Sequence, residues 1–241
     1  MTTGLTQTWV YLAASPLLWL TATLLAYQVA YWIYARCGYA PLANPVAIAV
    51  ALLVLILSVT HTRYQTYFAG AQFVHFLLGP ATVALAIPLY QQLEKLKRNW
   101  IALLSSALCG GAAGTATAMG VAWALGASPS TVLSLAPKSV TTPIAMAIAE
   151  KIGGLPSLTA VLVILTGILG AATARYVFNW LGIREHNVRG FALGATSHGI
   201  GTARGFQVSE EMGAFAGLAM GLSAILTALL LPLALRLLGV I

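Results

Sequence analysis

The chain has 241 residues, of which 59% are hydrophobic and only 7% charged, with a mean hydropathy of +0.88. That composition excludes a soluble globular domain and indicates an all-α, polytopic membrane protein. The formal charge of +7 comes from having only five acids, Glu94, Glu150, Glu185, Glu210 and Glu211, and not from a basic tract. Nucleic-acid binding needs a clustered basic face and is a poor reading.

The first predicted span covers residues 9–36. Trp9 and Tyr11 mark one interface, and Tyr27, Tyr31, Trp32 and Tyr34 with Arg36 mark the other. No lysine or arginine precedes its apolar run, so it reads as a retained span and not as a cleaved leader. Pro41 and the Asn44-Pro45 pair predict a turn, and Val46 to Arg63 a second span. From Tyr64 to Arg98 runs a long segment with expected interruptions at Gly79-Pro80 and at Pro88. It ends in Glu94-Lys95-Leu96-Lys97-Arg98, which the positive-inside rule assigns to the cytoplasm.

Trp100 to Gly126 is a span rich in small residues, with Gly110 and Gly114 on one face for close helix packing. Ser128 to Lys151 is different. It places Pro137, Lys138, Ser139, Thr141, Thr142 and Pro143 between two apolar runs. Proline removes a backbone donor and clashes with the preceding turn, so the helix breaks near Pro137. A lysine at membrane depth costs roughly 3 kcal/mol and marks a substrate or ion path more often than a lipid face. Leu158 to Gly182 is a further span.

Residues 187–206 carry Gly190, Gly194, Gly199, Gly201 and Gly205 together with His198 and Arg204, and read as an interrupted or re-entrant element. The last span opens at Glu210-Glu211 and carries Gly213, Gly217 and Gly221 on one face. That face predicts tight packing and points to a homo-oligomer.

A shift of 57 residues superposes Pro80 on Pro137, Gly110 on Gly167 and Trp123 on Trp180. Two interrupted segments at equivalent places in two halves are the best sequence pointer to a transporter's midplane site. The chain therefore reads as one integral membrane domain of seven or eight segments. A first span (9–36) precedes a half at 44–126 broken at 79–80. A second half at 128–241 is broken at 137 and interrupted again at 187–206.

The candidate anion-binding residues are Lys138, Ser139, Thr141, Thr142, Ser197, His198, Gly199, Thr202 and Arg204. Lys138 would neutralise a carboxylate, and the half-helix after Pro137 would offer its N-terminal N–H groups. Ser139, Thr141 and Thr142 either meet the ligand or satisfy backbone groups released by the prolines. His198 is either a proton-coupling group or a neutral hydrogen-bonding one. Arg204 suits carboxylate recognition only if it lies at depth. No cofactor or metal site is expected, since His61, His75 and His186 lack ligand spacing. No enzyme is expected either, because no aspartate exists to complete a triad with the adjacent Ser197-His198.

The run Pro137-Lys138-Ser139-Val140-Thr141-Thr142-Pro143, followed by Gly194-Ala195-Thr196-Ser197-His198-Gly199-Ile200-Gly201-Thr202-Ala203-Arg204, resembles the signature of the LrgB family. The resemblance extends from about Asn44 to the C-terminus. That family is bacterial, is described as antiholin-like, and is tied to murein hydrolase activity and cell lysis. The resemblance implies a multi-pass protein of the bacterial inner (cytoplasmic) membrane. It also implies a separate holin-like partner of the LrgA/CidA type, because no such portion is present here. Plant relatives fuse the two parts and exchange glycolate and glycerate across the plastid envelope, which implies carriage of a small organic anion, a monocarboxylate. The second reading is an antiholin-like regulator that carries nothing.

Overall fold

The computed structural model describes residues 16–84 and 86–241; Trp9, Tyr11 and the beginning of the expected first span lie outside them. Among the described residues the regular elements are helices, and no strand occurs. They fall into two compact units, the first ending at Ala84 and the second running Leu85–Ile241. Four described helices are long and apolar enough to cross a membrane: Leu17–Arg36, Leu93–Ala124, Pro156–Trp180 and Glu210–Leu237.

The first unit holds α1 (Pro16–Arg36), a 3-10 turn (Pro41–Ala43), α2 (Pro45–Val59), α3 (Tyr64–Phe76) and α4 (Leu78–Ala84). Asn44 caps α2 by accepting from the N–H groups of Val46 and Ala47 at 2.8 and 3.3 Å, with Pro45 at the first helical position. Trp19 is fully buried and meets Tyr67 edge-on at 5.9 Å, and the Tyr67 hydroxyl lies 3.1 Å from Thr23 Oγ1. These contacts tie α3 to α1. The α2 helix ends at Val59, short of the expected Arg63, and His61 sits at a left-handed φ of 50°.

The interruption expected at Gly79-Pro80 falls earlier, at Leu77, with both residues inside the first turn of α4. Pro88 likewise lies in the first turn of the next helix and not at a break. The reason is common to both: first-turn N–H groups have no intrahelical acceptor, so proline starts a helix more cheaply than it ends one.

The second unit holds α5 (Ala86–Gln91), α6 (Leu93–Ala124), α7 (Pro129–Leu135), α8 (Thr142–Ile152), α9 (Pro156–Trp180), α10 (His186–Val208) and α11 (Glu210–Leu237). The α6 helix begins at Leu93 and not Trp100, since Glu94, Lys95, Lys97 and Arg98 are good helix formers. Its first turn is tied to α11 by Lys95 Nζ, which donates to Glu211 Oε1 at 2.6 Å. The two helices run parallel. Near their starts Leu96, Leu103 and Ala107 pack with Phe215, Ala219 and Leu226, and further along Met119 meets the cluster containing Leu231 and Leu235.

Among the described residues nothing packs on the expected face at Gly110 and Gly114: a Cβ at either position would meet nothing within 4 Å. Gly221 is equally open, whereas Gly213 lies against the Phe206 ring. Tight helix contact is made elsewhere, by glycines of α10. A Cβ at Gly190 or Gly194 would strike the backbone of Met212 or Ala216 on α11.

Candidate functional site

The α10 helix is a hairpin. A straight helix of its 23 residues would be about 35 Å long, yet His186 Nδ1 at its start lies 2.8 Å from the Ser209 hydroxyl just past its end. The reversal occurs at Ser197 (φ −121°, ψ 15°) and His198 (φ 41°, ψ −132°). A non-glycine residue at such a φ is strained and persists only where its surroundings hold it. Across the bend, a Cβ at Gly201 would lie 2.7 Å from the Leu193 carbonyl oxygen, so the two limbs touch.

The bend is seated in α9. Gly170 leaves room for the Ser197 side chain, and Gly167 for the His198 ring, where a Cβ would stand 2.7 Å from Cε1 and 2.8 Å from Nε2. His198 Nε2 lies 2.9 Å from the carbonyl oxygen of Val163. A carbonyl only accepts, so Nε2 carries the proton and donates. Thr202 Oγ1 donates to the His198 carbonyl at 2.9 Å, satisfying a backbone group freed by the reversal.

The segment around Pro137 also leaves and returns. Ser128 caps α7, accepting from Thr131 N–H at 3.3 Å. After Leu135 the chain turns through Ala136–Val140, with Lys138 N–H donating to Leu135 O at 3.2 Å and Val140 N–H to Pro137 O at 3.3 Å. The α8 helix then starts at Thr142 with Pro143 in its first turn and closes on Gly153 (φ 85°). Gly154 comes back against Leu133 and Ser134, where a Cβ would meet Ser134 N at 3.0 Å. Fully buried Ser134 holds that return: its Oγ accepts from Leu155 N–H at 2.8 Å, and its carbonyl accepts from Thr159 Oγ1 at 3.0 Å.

The two reversals meet at one residue. The Val163 side chain is buried in the cluster that contains Ala136 and Val140 from the Pro137 turn, while its carbonyl binds His198 from the α10 bend. A half-helix begins at each reversal, α8 at Thr142 and the second limb of α10 at Gly199. Helix N-termini present unpaired N–H groups and partial positive charge. A cavity of about 470 Å³ adjoins both reversals, lined among others by Thr115, Pro137, Ser139, Ala195 and Ser223. Thr115 Oγ1 donates to Ala136 O at 3.1 Å and holds the Pro137 turn on α6.

The nine candidate residues divide by place. Ser139 lines the cavity and accepts from Lys138 Nζ at 3.2 Å. Lys138 itself, half-buried, lines a separate open groove of about 680 Å³ along Gly114, Thr117, Ala118 and Val121 of α6. Thr141 occupies the N-cap of α8 without capping through its side chain, and Thr142 opens the helix; both are half-buried. Ser197, His198 and Thr202 are buried at the α10 bend, and Gly199 is exposed there beside Met220 Sδ. Arg204 lies away from the bend, about 9 Å along the second limb, with Nη1 donating to Gln207 Oε1 at 3.1 Å.

Sequence reasoning does not single out Ser134, Thr159, Val163 or Gly170, and Gly167 enters it only as the partner of Gly110 across the 57-residue shift.

The chain is 35% identical to the uncharacterized protein YxaC of Bacillus subtilis over 211 residues, 88% of this chain and 91% of that protein. It is 29% identical to the antiholin-like protein LrgB of Bacillus mycoides over 225 residues, 93% of this chain and 98% of the relative, and equally to that of Bacillus cereus. No solved structure matches. The LrgB-like family matches residues 23–237, which include both reversals and all nine candidate residues, and the chain belongs to that family.

Proposed function

We propose that the protein is a secondary carrier of small monocarboxylates, with glycolate, glycerate, lactate and pyruvate as the candidate class. The observation that supports this most is the meeting on Val163 of two reversed elements, with a half-helix starting at each reversal. Carriers of small anions use interrupted helices in this way, because free N–H groups and unwound backbone replace the water that the ion loses. Lys138 supplies the compensating charge in this reading, with Ser139, Thr141 and Thr142 beside it. Ser197, Gly199 and Thr202 bound the site at the α10 bend, and Arg204 stands towards the mouth. The 57-residue repeat, seven or eight membrane segments, an inner-membrane location, a homo-oligomer and a separate holin-like partner of the LrgA/CidA type belong to the same proposal. No catalytic chemistry is assigned.

Lys138→Met tests the reading. It keeps the length and apolar bulk of the stem and deletes the charge, so membrane insertion and folding should persist while saturable uptake into proteoliposomes is lost. Lys138→Arg should be poorly tolerated, since a planar fork does not replace a compact ammonium. Wild-type uptake by the methionine variant at matched protein levels would remove Lys138 from the site.

The second reading is an antiholin-like regulator without transport, and the name carried by the Bacillus mycoides and Bacillus cereus relatives favours it. Under that reading the wild-type protein takes up none of the four acids when reconstituted, alone or with a holin-like partner, yet its expression alters lysis.

A further inference from the structure

We infer that His198 is the proton site of the carrier, and that it takes up one proton for each carboxylate bound. This rests on the carrier reading for its physiological meaning, but its geometry stands separately. The Val163 carbonyl fixes the neutral imidazole as the Nε2–H tautomer, which leaves a lone pair on Nδ1. Among the described residues Nδ1 has no hydrogen-bond partner, and no buried side-chain nitrogen or oxygen is left without one. Nδ1 therefore keeps a small accessible surface at the bend, on a histidine that is 5% exposed. A lone pair there repels a carboxylate; a proton there turns the same atom into a charged donor.

The surroundings make that proton depend on the anion. On α9 the residues facing the ring are Val163 and Gly167, and on α11 the residue beside the bend is Met220, none of which titrates near neutral pH. The charged groups on the two reversed elements near the site are Lys138 and Arg204, both cationic. The chain contains no aspartate, and its five glutamates stand at helix ends: Glu94, Glu185, Glu210 and Glu211 at starts, and Glu150 in the last turn of α8. An imidazolium at this bend thus has no protein counter-ion, and a buried charge without one is strongly disfavoured. The incoming carboxylate is that counter-ion. Binding of the two is coupled reciprocally, each favouring the other. The proton enters Nδ1 from the side that supplies the anion and leaves with it, so no net charge moves through this pair.

The test uses purified wild-type protein and His198→Gln, whose amide N–H can still donate to Val163 O but does not titrate. The first measurement is the histidine ¹⁵N spectrum with and without glycolate or lactate, at fixed pH, with the His198 resonance assigned by its loss in the variant. The wild type should show the Nε2–H tautomer without ligand and imidazolium with it. Its apparent affinity for glycolate should weaken about tenfold per pH unit above the ordinary imidazole range; the variant's should be flat. The second measurement is uptake into liposomes containing a pH-sensitive dye. Wild type should carry protons in with the acid and accumulate it when the outside is acidified, whereas His198→Gln should show neither proton entry nor accumulation. Ligand-linked protonation without any uptake would uphold the site and defeat the carrier reading. Uptake driven equally by a pH gradient in both proteins, or a His198 spectrum that ignores the ligand, would overturn the proton site and leave the carrier reading standing.

Discussion

At the scale of single residues, the position of His198 depends on an atom that Gly167 lacks. A methyl group there would stand 2.7 and 2.8 Å from the imidazole, closer than side-chain carbons tolerate. The ring sits on the α9 side of the bend and cannot recede without giving up its bond to Val163 O. Gly167→Ala should therefore cost about 1–3 kcal/mol of stability and sharply reduce uptake. Thermal unfolding and reconstituted uptake measure both, and a variant that matches wild type in each would show that the bend tolerates repositioning of the ring. The sequence made His198 and Lys138 legible because cations are rare in hydrocarbon. It could not make Val163 legible, because the partner of His198 is a backbone carbonyl, and every residue has one.

The elements themselves show the limits of patterns of small residues. A stripe such as Gly110 and Gly114 says that something can approach, not what does. Among the described residues nothing packs there, and Gly114 instead borders the groove that contains Lys138. By contrast the glycines of α10 were read as loosening a helix, and at Gly190 and Gly194 they also let α11 run against its backbone. The broken character of residues 187–206 was legible from composition, since five glycines weaken a helix. The place of the reversal was not, because it falls on Ser197 and His198 and on no glycine. A prediction follows for α6. In Gly114→Leu the new Cβ meets nothing within 4 Å among the described residues, and leucine favours the helix over glycine by up to about 1 kcal/mol. Stability should hold or rise while uptake falls, because the side chain narrows the groove beside Lys138. Unchanged transport with the gain in stability would mean that this groove is not on the path.

For the second unit as a whole, contacts between helix ends define which loops share a side. Lys95 binds Glu211, His186 binds Ser209, and Arg189 Nη2 donates to Asn179 Oδ1 at 2.6 Å, so the starts of α6, α10 and α11 and the end of α9 gather at one end. Lys95, Lys97, Arg98, Arg184 and Arg189 lie there, whereas the end holding the α6–α7 turn, the last turn of α8 and the last turn of α11 has Lys151 and Arg236. The positive-inside rule predicts that the first end is cytoplasmic. On that expectation α10 would enter from the cytoplasm and return to it, and the Pro137 segment would enter from the opposite face. With Cys37 and Cys109 replaced by serine, single-cysteine variants at Glu185, Glu210 and Ser128 can be exposed to a membrane-impermeant thiol reagent. Ser128→Cys should react in intact cells, and Glu185→Cys and Glu210→Cys only after permeabilisation. The discriminating comparison is between the last two. They flank α10, whose residues would suffice to cross a bilayer if the helix were straight, so labelling of one from each side would make α10 a spanning helix. The His198 bend would then be a kink in transit, and the reversal that starts a second half-helix at Gly199, on which the proposed anion site depends, would be lost.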